Sequence, residues 1–156
     1  MTIAKSKKMT IDLDDAGKRG LRTQFGALCW RRHRDELQFL LVTSRGTQRW
    51  ITPKGWPIDG EAPADAARTE AWEEAGVTGK VGLNCIGIYS YIKGMEGEDD
   101  LPCVVALFPL KVKNTSGDWP EKSERRRKWF SQKKAASLVA EPELQALIRN
   151  FDPSRV

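Results

Sequence analysis

The sequence predicts an α/β (α+β) protein in which one mixed β-sheet is packed between helices. Three observations carry that expectation. Apolar runs of strand length recur along the chain, one helix-length segment interrupts them, and an amphipathic helical pattern closes the chain.

The chain has 156 residues, enough for one domain with a real core. We expect that domain over 19–156, after a loose polar tail at 1–18 that Gly17 closes. A formal net charge of +5 favours anionic partners, with nucleic acid, phosphorylated metabolites and plain solubility all compatible. Cys29, Cys85 and Cys103 are odd in number, widely spaced and set in apolar runs. They read as buried thiols of a reducing compartment, and without CxxC spacing they predict no zinc site. The N-terminal stretch lacks the apolar region of a signal peptide, and no apolar run reaches membrane-span length. The expected location is therefore cytoplasmic. The sole histidine, His33, sits in Arg31-Arg32-His33-Arg34 and reads as part of a charged turn.

Residues 24–30 read as a strand, 31–36 as a charged hairpin turn, and 37–43 as a nearly continuous apolar, hence central, strand. Trp50-Ile51-Thr52 is a short extended run that Pro53 stops. The helix is expected from Pro63 to Ala75. Proline suits its first turn, Asp65 complements the dipole, and Gly76 is placed to end it. Ala64, Ala67, Ala71 and Ala75 form a small-residue stripe for close packing on a sheet. Residues 81–92 read as one long strand and 94–100 as an acidic, Gly-rich loop, solvated rather than ligating. A strong strand follows at 102–113 and a turn-rich connection at 114–120. Residues 127–131 form a short strand, with helices at 132–139 and 141–151. The last shows Leu144, Leu147, Ile148 and Phe151 on one face. Trp50, Trp129 and Trp72 read as packing residues, whereas Trp56 lies in a turn and is partly exposed.

The chemistry concentrates between Gly55 and Val77. Glu70, Glu73 and Glu74 stand at i, i+3 and i+4, on one helical face beside the alanine stripe. Like charges so placed repel, and a magnesium or manganese ion would relieve them; the alternative is a solvated acidic face.

The pattern resembles the Nudix box. Gly55 is followed by five residues and Glu61, then seven more lead to Thr69-Glu70-Ala71-Trp72-Glu73-Glu74-Ala75-Gly76-Val77. Every specified position matches except the box arginine, which is Thr69 here. Trp50-Ile51-Thr52-Pro53-Lys54-Gly55 and Arg127-Lys128-Trp129-Phe130 extend the similarity toward the diphosphoinositol polyphosphate phosphohydrolase-like branch. The resemblance implies a Nudix-type α/β/α sandwich and metal-dependent hydrolysis of a diphosphate linkage, with Mg2+ or Mn2+ as cofactor. It implies catalytic and metal-holding roles for Glu70, Glu73 and Glu74, the Gly55 carbonyl as a further ligand, and Glu61 as a supporting residue. It leaves the general base open.

Thr69 has two readings. Either an arginine from elsewhere, such as one of Arg125-Arg126-Arg127, does the bracing that the resemblance assigns to position 69, or catalysis is weakened. The run 125–128 otherwise reads as a strand with alternating exposed charges. Lys54, Arg45 and Arg49 are the candidate substrate-binding residues, arginine being apt for bidentate phosphate contacts. The expected partner is a polyphosphorylated small molecule such as a diphosphoinositol polyphosphate. The alternatives are a dinucleoside polyphosphate or other nucleoside diphosphate derivative, and, in another class, a weakly catalytic nucleotide-binding sensor. No separate RNA-binding motif is visible, so nucleic acid is not the expected partner. The oligomeric state is open.

Overall fold

The computed structural model describes residues 22–94 and 100–156. The expected tail at 1–18 and most of the acidic loop, residues 95–99, lie outside the described residues. In chain order the elements are β1 (Arg22–His33), β2 (Glu36–Thr43), β3 (Trp50–Ile51), β4 (Lys54–Gly55) and α1 (Pro63–Ala75). There follow β5 (Val77–Val81), β6 (Gly87–Lys93), β7 (Leu101–Thr115), β8 (Arg127–Ser131), α2 (Gln132–Leu138) and α3 (Pro142–Arg149). A 3-10 turn at Pro153–Arg155 ends them.

The strands form one mixed sheet ordered β3-β2-β1-β7-β5, with β4 on β1, β6 on β7 and β8 on β2. β1 and β7 run parallel, and the remaining pairs are antiparallel. Alternation along the strands sends successive side chains to opposite faces. Ala27, Cys29, Leu40, Val42 and Phe108 meet the alanine stripe of α1 on one face. Leu28, Trp30, Phe39, Leu41, Tyr89 and Leu107 meet Ala135, Leu144, Ile148 and Phe151 on the other. The result is a sheet between helices, as the sequence predicts.

Four expectations need correction. The charged turn at 31–36 shrinks to Arg34–Asp35, both at positive φ. β1 keeps pairing with β2 out to His33↔Glu36, because charged side chains are tolerated on the exposed end of a strand. The long strand at 81–92 is two strands. β5 and β6 pair with successive parts of β7, and residues 82–86 cross between them, tied by the Gly82 N–H to Pro109 O and the Ile86 N–H to Leu107 O. Cys85 lies on that crossing and is exposed, whereas Cys29 and Cys103 are buried. Lastly, the run 125–128 does not merely alternate exposed charges, since Arg125 and Arg127 turn inward onto backbone and carboxylate acceptors.

One feature of the sheet positions the site. β1 pairs with β2 only from Cys29 onward. Nearer its start, its edge is taken by β4, with Phe25↔Gly55, Gly26↔Lys54 and the Ala27 N–H donating to Pro53 O at 3.0 Å. β3 meanwhile pairs with the far end of β2 at Val42↔Ile51. The segment 50–55 is thereby fastened to both strands and carries Lys54 and Gly55 to the end of α1.

Candidate active site

α1 is well defined at both ends. Pro63 occupies its first turn and Gly76 closes it at φ 67°, in the left-handed region. All four of its last carbonyls are satisfied. Trp72 O accepts from the Gly76 N–H at 2.9 Å and Glu73 O from the Glu121 N–H at 3.0 Å. Glu74 O accepts from Trp119 Nε1 at 3.1 Å, and Ala75 O from Arg127 Nη1 at 2.7 Å. Arg127 also donates to Ser116 O at 2.6 Å and stacks over the Trp119 ring at 3.9 Å. The segment between β7 and β8 thus grips the end of α1 that bears the glutamates.

The glutamate face is not merely solvated. Glu74 is 4% exposed, and Glu70 is half-buried beside it. Glu74 therefore lies among the buried residues of α1, not beside them. Burial pushes the Glu74 carboxyl up to about 8 against the opposing charges of Arg125 and Lys54. Burial, then the neighbouring charge of Glu73, raises that of Glu70. Lys54 is pushed down to about 8 by burial, with Glu74 opposing the shift. Its Nζ lies 4.8 Å from the centroid of the Tyr91 ring.

A cleft of ≈ 600 Å³ opens over these groups. The structure brings Glu70, Glu74, Gly55, Lys54, Arg45 and Arg49 onto its walls. Glu73 and Glu61 do not line it. Glu61 instead accepts a hydrogen bond from Thr69 Oγ1 at 2.9 Å, so the residue that breaks the box pattern still ties the helix to the preceding turn. Arg45 pairs with Glu124 at 3.1 Å, and Arg49 with the buried Glu141 at 2.9 Å.

Sequence reasoning missed the wall residues Gln24, Tyr91, Lys93 and Glu121, and named Arg125 only as one of three arginines that could do the bracing assigned to position 69. Glu121 and Arg125 are ion-paired at 2.7 Å, and Arg125 Nη2 reaches Glu74 Oε2 at 3.8 Å. The i, i+4 spacing of Glu121 and Arg125 was legible, but nothing local showed that the pair points at α1. Trp56 is 37% exposed at the cleft, as its turn position predicts. Trp50 and Trp129 pack against the two cores. A separate apolar cleft of ≈ 420 Å³ between residues 82–86 and the C-terminal segment holds none of the candidate residues.

Two observations fit a divalent cation. Glu74 Oε1 is buried with no hydrogen-bond partner. A Cβ on residue 55 would overlap the Glu70 carboxyl, so only glycine lets that carboxylate lie against the turn. Among the described residues, no three acidic, histidine or cysteine side chains form a ready cage. Mg2+ does not require one, because it commonly binds through one or two carboxylates with waters and substrate phosphates completing its shell. Among the described residues no helix is long and apolar enough to cross a membrane.

Known proteins agree with this architecture. A mouse protein named diphosphoinositol polyphosphate phosphohydrolase 3-alpha is 32% identical over 122 residues, covering 77% of this chain and 70% of its own. The Arabidopsis thaliana protein named Nudix hydrolase 13, mitochondrial, is 32% identical over 122 residues, covering 75% of this chain. The chain spans only 60% of the length of that plant relative. Among solved structures, a Caenorhabditis elegans Ap4A hydrolase superposes with TM-score 0.59 at 22% identity, covering 86% of this chain and 98% of its own. The NUDIX domain of Shewanella oneidensis NrtR, complexed with ADP ribose, superposes with TM-score 0.64 at 15% identity, covering 96% of each chain. The NUDIX domain model itself matches residues 21–151, and on that match, with the sheet and helices it spans, the chain belongs to the NUDIX family.

Proposed function

We propose that the chain is a metal-dependent pyrophosphohydrolase that cleaves a diphosphate linkage in a polyphosphorylated small molecule, of the diphosphoinositol polyphosphate kind. The observation that carries this reading is the buried Glu74, with an unpartnered oxygen, beside the half-buried Glu70 at the wall of a cleft that also carries Lys54, Arg45, Arg49 and Lys93. Phosphoryl transfer asks little covalent chemistry of a protein; it needs charge neutralised and water aligned. Glu70, Glu74 and the Gly55 carbonyl would hold Mg2+ or Mn2+, with Glu73 contributing from the adjoining turn of α1 and Glu61 bracing the helix through Thr69. When bound, the cation supplies charge neutralisation and an activated water. Lys54 and Lys93 attract the phosphates, and Arg45 and Arg49 join them by exchanging a carboxylate partner for a phosphate. One carboxylate of the cleft takes the proton of the attacking water. The chain's unpaired, reduced thiols suit a cytoplasmic location.

Two observations support a dinucleoside polyphosphate, or another nucleoside diphosphate derivative, as the second reading. Arg45 and Arg49 are already paired with carboxylates, and Trp56 offers an exposed aromatic face at the cleft. A weakly catalytic nucleotide-binding sensor is the reading of another class, resting on Thr69. Product formation with Mg2+ from inositol pyrophosphates and dinucleoside polyphosphates, resolved side by side by chromatography, separates the three, because the first releases inorganic phosphate and the second two nucleotides. Turnover of the inositol compounds supports the first reading, and exclusive turnover of the nucleotides the second. Tight nucleotide binding with no turnover on either supports the sensor.

A further inference from the structure

Arg125 is more buried than its place in a basic run suggests. Its side chain is 7% exposed, and its guanidinium makes two hydrogen bonds and faces a third partner at ion-pair distance. Nε donates to Glu121 Oε1 at 2.7 Å, Nη1 to the Thr43 backbone carbonyl at 3.1 Å, and Nη2 lies 3.8 Å from Glu74 Oε2. The three partners come from three places in the fold: the segment before β8, the end of the interior strand β2, and α1. A planar fork anchored on a backbone carbonyl has little freedom left. Glu74 meanwhile has one oxygen toward Arg125 and the other, Oε1, buried without a partner.

Resting on the reading of Glu70 and Glu74 as cation-holding, we propose that Arg125 is the positioning residue of that site: by holding Glu74 Oε2 it fixes the carboxylate so that Oε1 is the ligating oxygen. Residues just outside a metal's own ligands set ligand orientation in this way, and losing them typically weakens metal binding about 10–100-fold. The proposal runs against simple electrostatics. A fixed positive charge next to a dication repels it, so if Arg125 acted by charge alone its removal would tighten cation binding.

The test is Mn2+ binding to the substrate-free full chain, followed by the electron paramagnetic resonance signal of free Mn2+. Arg125→Met should bind Mn2+ about tenfold more weakly or worse. Arg125→Lys keeps the charge but cannot span three partners from one ammonium, and should bind about threefold more weakly or worse. Arg126→Met alters a neighbour whose side chain lies over Trp50, and should bind as the unaltered chain does. Equal or tighter binding by Arg125→Met overturns the proposal, as does an equal loss in Arg126→Met. If Arg125→Met fails to fold, Arg125→Lys decides alone, and unchanged affinity there overturns it. An unaltered chain that binds no Mn2+ instead overturns the metal-site reading beneath it, and the two failures are thereby distinguished.

Discussion

Glu74 carries opposite demands. Its burial disfavours charge, yet a cation ligand must be charged. A carboxyl whose folded pKa is raised to about 8 stabilises the fold in full below its unfolded value of about 4.3, and that contribution is lost as pH rises through about 8. Lys54, pushed down to about 8, acts in another window: its cost to the fold fades between about 8 and its unfolded value of about 10.4. With chelator present, the thermal midpoint should therefore fall between about pH 5 and pH 8, and Glu74→Gln should flatten that slope. Mg2+ should raise the midpoint of the unaltered chain more at pH 8 than at pH 6, because the ligand must first lose its proton. The same Glu74→Gln change should lower turnover about 100-fold or more, or about 2.7 kcal/mol in the barrier, while leaving the fold intact. Scanning fluorimetry and phosphate release check the two halves, and an active Glu74→Gln variant would remove Glu74 from the site. Thr69 is the complementary case. Its hydroxyl already holds Glu61, so Thr69→Arg should leave turnover within about threefold. A large gain would show that the missing arginine does limit the chain.

At the scale of elements, what was legible followed local rules, and what was not depended on distant partners. Pro63 and Gly76 fix the ends of α1 because proline and glycine act through their own backbone, and the helix runs from Pro63 to Ala75 as expected. The split of residues 81–92 was hidden because the constraint sits on β7, whose length lets it pair with β5 and β6 in turn. The inward turn of Arg127 was hidden for the same reason, since its acceptors are the Ala75 and Ser116 carbonyls, far away in sequence. Those bonds make a prediction about the clamp. Arg127→Met should cost about 1–3 kcal/mol in urea unfolding, because it strips a charged donor from partly buried carbonyls at the end of α1. It should also weaken Mn2+ binding, since Glu74 lies one residue from the freed carbonyl. A surface arginine would show neither loss.

At the scale of the whole molecule, the sheet is a partition between two cores, and the cysteines sample it unevenly. Cys29 is in the core beneath α1, on β1, which pairs with β2 on one side and β7 on the other. Burial, and then the nearby Glu74 charge, pushes its thiol up to about 12. Cys103 is buried on β7, and burial raises its thiol too. Cys85 lies on the exposed crossing between β5 and β6. The sequence placed all three in apolar runs and could not separate them, because run composition does not show where a strand is interrupted. Only a thiolate reacts with disulfide reagents, so reactivity follows both exposure and acidity. With such a reagent near pH 8, one thiol should react rapidly in the native state, and all three should react in concentrated urea. Cys85→Ser should abolish the rapid phase alone. The slow reaction of Cys29 requires its strand to leave the middle of the sheet, so its rate should rise with urea as steeply as global unfolding does. A rapid second thiol in the unaltered chain would mean that the partition opens locally, and α1 with its glutamates would then rest on a looser sheet than the two packed cores describe.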